Sequence, residues 1–159
     1  MSSFNRRFFI TSTLALAGCG FTPAYAPDGA ARALRNNMSM HEPDDRISYA
    51  LYTALIDRFG AARDPRFHLD YATEASEEDV GITREGEITR YHIAGTAHYR
   101  LTEIASGRVL AEGDVQGFSA YSATRSTVAS LTSTRDAYER LMRSLARNIE
   151  THLIAKLSQ

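Results

Sequence analysis

The stretch TRYHIAGTAHYRL, residues 89–101, alternates between polar and mainly apolar side chains. Alternation with a period of two predicts a β-strand with one side in the core and the other side in solvent. The odd positions form the apolar set, which is Tyr91, Ile93, Gly95, Ala97, Tyr99 and Leu101. Because the even positions are polar, the stretch predicts an antiparallel sheet that is covered on one side only.

Two further strands are predicted by similar alternation over Phe67–Tyr71 and Val109–Tyr121. Gly86 and the run Ala105-Ser106-Gly107 supply suitable residues for the turns between the strands. A short first strand is predicted over Leu34–Glu42, where the alternation is weakest. The polar side of this sheet also carries Phe118, at an even position.

The second turn predicts the register of the last two strands. A five-residue hairpin loop centred on Ala105 would pair residues whose numbers sum to about 210. His98 would then face Glu112, and Thr96 would face Asp114. Cross-strand polar pairs of this kind are typical of the solvated face of a sheet.

Two amphipathic helices are predicted around these strands. The first opens at Pro43-Asp44-Asp45, with Asp45 as its N-cap, and ends before Gly60. The second covers roughly Ser126–Leu157, and both have apolar residues at helical spacing. The order β-α-β-β-β-α predicts an α+β fold, a four-stranded and mainly antiparallel sheet with both helices packed on one face.

The composition limits the class of protein. The 159 residues suit a single domain, and 43% hydrophobic residues are enough for a core. A formal net charge of −1 argues against a nucleic-acid partner, because phosphate binding needs a concentrated basic surface. The sequence has one cysteine, which excludes an internal disulfide.

The first 18 residues have the layout of an export signal. Arg6 and Arg7 precede the run FFITSTLALA, which is too short to cross a bilayer as a permanent helix. The sequence Leu16-Ala17-Gly18-Cys19 follows and resembles the bacterial lipobox, so we expect a diacylglycerol on the Cys19 thiol. The arginine pair leaves the general and the twin-arginine export routes both open. The alternative is an ordinary cleaved signal with an incidental cysteine.

These features predict three segments. Residues 1–18 would be a lipoprotein signal peptide, residues 19–32 a lipidated N-terminus and tether, and residues 33–159 one periplasmic α+β domain. Gly20 stands where an inner-membrane retention signal would have aspartate, so the expected location is the outer membrane.

Five histidines raise the question of a metal or acid–base site. His92 and His98 share the polar side of one predicted strand, and His68 lies with Asp70 on another. A metal site needs three or four convergent ligands, and the sequence has no HExxH, CxxC, GxSxG or phosphate-loop motif. We therefore predict no enzyme, no metal and no cofactor beyond the covalent lipid. The alternative is a periplasmic hydrolase or metal protein.

The sequence from Cys19 to Tyr25, CGFTPAY, resembles the start of the mature LptE-type lipopolysaccharide-assembly lipoproteins, which commonly begin Cys-Gly-Phe-x-Pro. Tyr121, followed by a polar turn and a terminal helix with Asp136-Ala137, is similar to the same family. The resemblance implies an outer-membrane lipoprotein on the periplasmic side that plugs the LptD β-barrel. It would assist assembly of that barrel, beside which lipopolysaccharide passes to the outer leaflet.

Candidate contact residues lie on the polar side of the sheet. Arg90, His92, His98 and Arg100 share this side and are candidates for contact with the barrel or with lipopolysaccharide. No basic lipid-A-binding cluster of the family matches this sequence position by position, so the shared face alone motivates this hypothesis. An alternative function is that of an auxiliary lipoprotein in a periplasmic lipid-transport system of the ABC type.

Overall fold

The computed structural model describes residues 29–82, 88–123 and 126–158. Its elements in chain order are α1 (Ala30–Leu34), β1 (Met38–Met40), α2 (Arg46–Phe59), β2 (Phe67–Ile82), β3 (Ile88–Glu103), β4 (Val109–Ser122) and α3 (Thr127–Leu157). Residues 30–32, which the sequence assigns to the tether, are part of helix α1. The predicted signal peptide and the lipidation site Cys19 lie outside the described residues.

The strands form one sheet in the order β1-β2-β3-β4. β2, β3 and β4 follow one another along the chain and pair antiparallel. β1 pairs parallel to β2, because the crossover through α2 returns the chain to the end where β1 began. The prediction of an α+β fold is confirmed, and the sheet is mixed because it contains one parallel pair.

Helices α2 and α3 cover one face of the sheet. α3 lies over β3 and β4, and α2 packs beside α3. The odd-numbered residues Ile93, Ala97 and Leu101 of β3 are buried beneath the helices. Helix residues at the centre of this core are Leu51, Leu55, Leu141, Leu145 and Ile149. Among the described residues, no helix combines the length and the apolar character needed to cross a membrane.

Helix α2 has a capping residue at each end, Asp45 before its first turn and Gly60 after its last. The Ser48 N–H donates to Asp45 Oδ1 at 2.7 Å, and the Asp45 N–H donates to Ser48 Oγ at 2.9 Å, which completes a capping box. Gly60 follows the last turn with φ of 76°, and its N–H donates to Ile56 O at 2.8 Å. The predicted roles of Asp45 and Gly60 at the two ends of the helix are confirmed.

The first strand is shorter than the sequence predicts. The prediction of a strand over Leu34–Glu42 is wrong at both ends, because β1 holds only Met38–Met40 and Leu34 ends helix α1. Asn36 has a left-handed backbone with φ of 58°, and its N–H donates to Phe59 O at 2.6 Å. This conformation, which asparagine tolerates better than most residues, separates the helical turn from the strand.

Strand β2 is longer than the sequence predicts. It was expected to end at Tyr71, but it continues to Ile82 and pairs with β3 over that length. The added stretch, ATEASEEDVGI, is acidic and lacks alternation, so its own composition gives no strand signal. Pairing with β3 supplies the strand conformation there.

The register of β3 and β4 differs from the predicted one by two residues. His98 faces Asp114 rather than Glu112, and Thr96 faces Gln116 rather than Asp114. The predicted pairings are therefore wrong. A difference of two residues leaves the side chains from Ala111 to Tyr121 on their predicted face, because the side-chain period of a strand is two.

The turn between β3 and β4 explains the difference. The Glu103 N–H donates to Arg108 O at 2.9 Å, and Gly107 takes a left-handed φ of 69°. The centre of the turn therefore lies after Ala105. A register shift beside Leu101 adds one more residue to β4, as a β-bulge does.

Candidate functional site: the open face of the sheet

The described helices leave one face of the sheet uncovered, and this open face is the candidate site. Even-numbered residues point to it over His68–Glu78 of β2, Arg90–Thr102 of β3 and Glu112–Ser122 of β4, and they are exposed or half-buried. Its polar side chains on β3 and β4 include Arg90, His92, Thr96, His98, Arg100, Glu112, Asp114 and Gln116. The strand alternation positions them, because each alternates with a residue that faces the core or the helices.

Two of the four predicted contact residues are held by acidic partners. His98 Nδ1 lies 2.5 Å from Asp114 Oδ1, and Arg100 Nε donates to Glu112 Oε2 at 3.1 Å. Both pairs join directly opposed residues of β3 and β4. All four side chains are largely exposed, so the pairs add little to folding but offset part of the local charge.

The adjacent strand continues this polar network. His68 Nε2 lies 3.2 Å from Asp70 Oδ1, and His68 Nδ1 lies 2.9 Å from Ser39 Oγ of β1. Asp70 also stands opposite Arg100 in the β2–β3 register. Paired polar groups therefore cover this end of the open face, from β1 to β4.

The other two predicted contact residues lie at the opposite end of β3. Arg90 and His92 are exposed, and in the described part of the chain neither forms an ion pair. Arg90 and Arg100 are ten residues apart, which corresponds to roughly 33 Å along a strand. The structure thus places the four predicted residues on one face but does not bring them together as one cluster.

Phe118 lies between these two ends. Its side chain is 80% exposed, although it is a large apolar group on a polar face. Its cross-strand neighbour is Ala94, and Ala120 follows two residues along the same face, so two of its neighbours on the face have small side chains. Protruding aromatic side chains of this kind are common anchors in protein interfaces.

A second concave surface, which the sequence did not predict, lies between α2 and α3. This groove encloses ≈ 740 Å³, and Ile47, Tyr49, Leu131 and Tyr138 contribute apolar lining. Leu131 is 67% exposed, although it lines this groove together with residues of the first turn of α2. The sequence signal for this groove would have been Leu131, an apolar residue that continues the core-facing stripe of α3 toward its N-terminus.

The pKa values of two tyrosine hydroxyls, those of Tyr71 and Tyr121, are raised. Burial is the main cause that raises the pKa of Tyr71 to about 12. Burial and a hydrogen bond to Glu77 raise the pKa of Tyr121, whose hydroxyl donates to Glu77 Oε1 at 2.6 Å. Both phenols therefore remain protonated near neutral pH and serve as hydrogen-bond donors.

A metal-binding site would need several convergent ligands among the described residues. No cluster of three or more His, Cys, Asp or Glu side chains occurs there that could hold an ion. The arrangement of the open face suits contact with another polar surface, since its charges are distributed and partly paired.

Solved structures share this fold at low sequence identity. A protein from Caulobacter crescentus, described as a lipoprotein, has a TM-score of 0.68 at 16% identity; the match covers 81% of this chain and 96% of that one. The rare lipoprotein B of Shewanella oneidensis has a TM-score of 0.56 at 10% identity, with coverage of 75% and 92%. Lipoprotein B of Nitrosomonas europaea has a TM-score of 0.55 at 11% identity, with coverage of 76% and 83%.

The family is identified by sequence. No curated protein matches the chain. A sequence model of the LptE family, described as lipopolysaccharide-assembly, matches residues 32–153, which is well over half of the 159 residues. The match begins in helix α1 and ends near the last turn of α3, so it covers the sheet and both covering helices. The chain therefore belongs to the LptE lipopolysaccharide-assembly family.

Proposed function

We propose that this chain is an outer-membrane lipoprotein that occupies the lumen of an LptD-type β-barrel. There it plugs the barrel, assists its assembly and accompanies the delivery of lipopolysaccharide to the outer leaflet. The family match over residues 32–153 is the observation that carries this proposal. The role is one of binding and assembly and requires neither catalysis nor a cofactor beyond the covalent lipid.

The open face supports a place inside a barrel. The lumen of an outer-membrane barrel is polar and wet, so a partner surface there should be polar as well. The pairs His98–Asp114 and Arg100–Glu112 satisfy charges on this face in advance. These two pairs can approach a polar wall without leaving their own charges buried and unpaired, and Phe118 can serve as an apolar anchor on the same face.

The anchor in this proposal is the lipid on Cys19, on the periplasmic side of the outer membrane. Several acyl chains on one residue hold a protein to a bilayer stably, whereas a single chain holds it only marginally. Mass spectrometry of the purified protein should therefore find an acylated Cys19. A Cys19→Ser variant should lose its membrane association, and a variant that stays fully membrane-bound would contradict the anchor.

Direct contact with lipopolysaccharide is a finer part of the proposal. Arg90 and His92 are the candidates with the greater freedom to meet phosphate groups, because Arg100 and His98 already have acidic partners. An Arg90→Ala/His92→Ala variant should bind lipopolysaccharide more weakly than the wild type. Arg100→Ala/Glu112→Ala, which removes a charge pair from the same face, is the matched control and should bind nearly as well as the wild type. Equal binding by all three proteins would dispose of this contact.

The partner is tested by co-purification. Tagged full-length protein, recovered from detergent-solubilised outer membranes, should bring down a large β-barrel. Recovery of an ABC-type transporter in its place would favour the auxiliary lipid-transport function. A Phe118→Asp variant should recover less of the barrel, whereas Val128→Asp, which alters an equally exposed apolar residue on α3, should recover the normal amount.

A further inference from the structure

The two edges of the sheet are protected in different ways. An edge strand presents a row of unpaired backbone N–H and C=O groups that can template another strand. One edge is β4, and the other is β2 beyond the short strand β1. The contrast between them indicates which edge can accept a partner.

Side chains of helix α3 cover the β4 edge from Gln116 to Ala120. Arg140 Nη2 donates to Ala120 O at 2.9 Å, and Asn148 Nδ2 donates to Gln116 O at 2.8 Å. Eight helix residues advance about 12 Å and four strand residues about 13 Å, so the spacing of the two donors matches that of the two carbonyls. α3 therefore runs alongside β4 and occupies carbonyl groups that a further strand would need.

Within the described part of the chain, β1 covers the β2 edge over the first three residues of β2 only. β1 pairs with Phe67–Leu69, where the Phe67 N–H donates to Asn37 O and Leu69 O accepts from the His41 N–H, both at 3.0 Å. These bonds show that odd-numbered residues of β2 direct their backbone groups away from β3. Thr73, Ala75, Glu77 and Asp79 continue this series, and among the described residues none of them has a backbone partner on that side.

Acidic side chains line this open stretch on both faces of the sheet. Glu74 and Glu78 point to the open face, whereas Glu77 and Asp79 point to the opposite face, and all four are exposed. Within the ranges that the structure describes, none of them is paired with a basic side chain. A second copy of the chain is therefore a poor partner for this edge, because antiparallel pairing would bring carboxylates together.

We propose that the β2 edge from Thr73 to Asp79 accepts an extended, basic segment of a partner protein as an additional strand. The open backbone groups would supply the hydrogen bonds of strand addition, and the four carboxylates would select lysine and arginine side chains. This edge adjoins the open face, to which Glu74 and Glu78 point, and it is separate from the groove between α2 and α3. The proposal goes beyond barrel plugging, so either can fail without the other.

Hydrogen exchange tests the proposal on the full-length protein in non-ionic detergent. The probe is a short synthetic peptide of alternating lysine and valine. Its addition should slow exchange at the amides of Thr73, Ala75, Glu77 and Asp79, whose N–H groups would become paired. The outward amides of β4 from Gln116 to Ala120 should be unaffected, because side chains of α3 already bind the carbonyl groups of that stretch.

Two control peptides separate strand addition from simple charge attraction. A peptide of alternating glutamate and valine should not bind, because its charges repel the acidic edge. A backbone N-methylated lysine–valine peptide keeps the charge but cannot pair through its amides, and it should not slow exchange at the β2 edge. Equal protection by the methylated peptide would overturn the proposal.

Two variants of the protein test the same edge with the original lysine–valine peptide. Ala75→Pro removes one outward N–H, and a proline at an edge position whose N–H faces solvent leaves the β2–β3 hydrogen bonds in place. It should weaken peptide binding by roughly tenfold or more. Glu74→Gln/Glu78→Gln keeps the backbone intact and should also weaken binding, which tests the charge requirement should the proline variant fail to fold.

Other outcomes would also contradict the proposal. Protection that appears along β4 would mean that the wrong edge has been assigned. If raising the protein concentration without peptide slowed amide exchange at the β2 edge, a second copy of the chain would be the occupant. Unchanged binding by both variants would show that the peptide binds elsewhere.

Discussion

The two faces of the sheet differ in burial, although alternate residues of the same strands form both of them. In β3, Ile93, Ala97 and Leu101 have no exposed surface beneath the helices, whereas His98 and Arg100 beside them are exposed on the open face. Burial of apolar surface stabilises the covered face, and exposed polar pairs contribute little. The stability of the fold should therefore respond strongly to changes on the covered face and weakly to changes on the open face.

The largest expected effect is on the covered face. Leu141 is fully buried and contacts Gly95 and Gly117 of the sheet through its terminal methyl groups. Leu141→Ala should lower the free energy of unfolding by about 2–5 kcal/mol, through lost burial and the cavity that remains. Phe118→Ala removes a larger side chain from the open face and should change stability by less than about 0.5 kcal/mol. Urea unfolding measures both, and comparable losses would break the contrast between the faces.

The next largest effect tests how closely α3 approaches the sheet. A Cβ at Gly95 would lie 2.9 Å from Leu141 Cδ2 and 3.4 Å from Glu74 O. Gly95→Ala should therefore cost about 1–3 kcal/mol as overpacking. Ala94→Val adds bulk to the open face and should cost little. Combining Gly95→Ala with Leu141→Ala should cost less than the sum of the two, because the shortened side chain leaves room for the new methyl group. Additive losses would argue against this contact.

The difference between the faces also explains which features could be predicted from the sequence. Alternation is local, so TRYHIAGTAHYRL was sufficient to place Arg90 and Arg100 on the uncovered face. The second half of β2 could not be predicted, because its acidic residues form a strand only through pairing with β3. The pairing of His98 with Asp114 depends on the length of the turn and on one bulge, and neither leaves a pattern in the strands themselves.

The sequence predicts which side chains share the open face, but it does not predict which of them form pairs there. A shared period of two indicates that side chains point the same way, but it does not indicate which of them are neutralised. The edge contacts of Arg140 and Asn148 depend on the path of α3 beside β4, which is a tertiary feature. The left-handed backbone at Asn36, which ends α1, likewise depends on its contact with Phe59.

A smaller effect is expected at the start of the covering layer. Asp45→Ala removes the N-cap of α2 and should cost about 1 kcal/mol at neutral pH. Its hydrogen bond from the Ser48 backbone holds the pKa of Asp45 below its ordinary value of 3.8. The stabilisation is therefore present above that value and is lost as the pH falls through the lowered folded-state pKa. Urea unfolding at a series of pH values should show the difference from the wild type shrinking at acidic pH. Asp44→Ala, a neighbouring exposed carboxylate without a capping role, should show no such loss.

The smallest effect is expected for the paired charges of the open face. A double-mutant cycle on Arg100 and Glu112 should give a coupling of about 0.2–1 kcal/mol, since both side chains are about 60% exposed. The coupling should fall further in high salt, because exposed charges are screened. A coupling of several kcal/mol that persists in salt would mean that the open face also stabilises the fold. A small, salt-sensitive coupling leaves this face able to exchange its internal partners for those of another surface, which the covered face cannot do without unfolding.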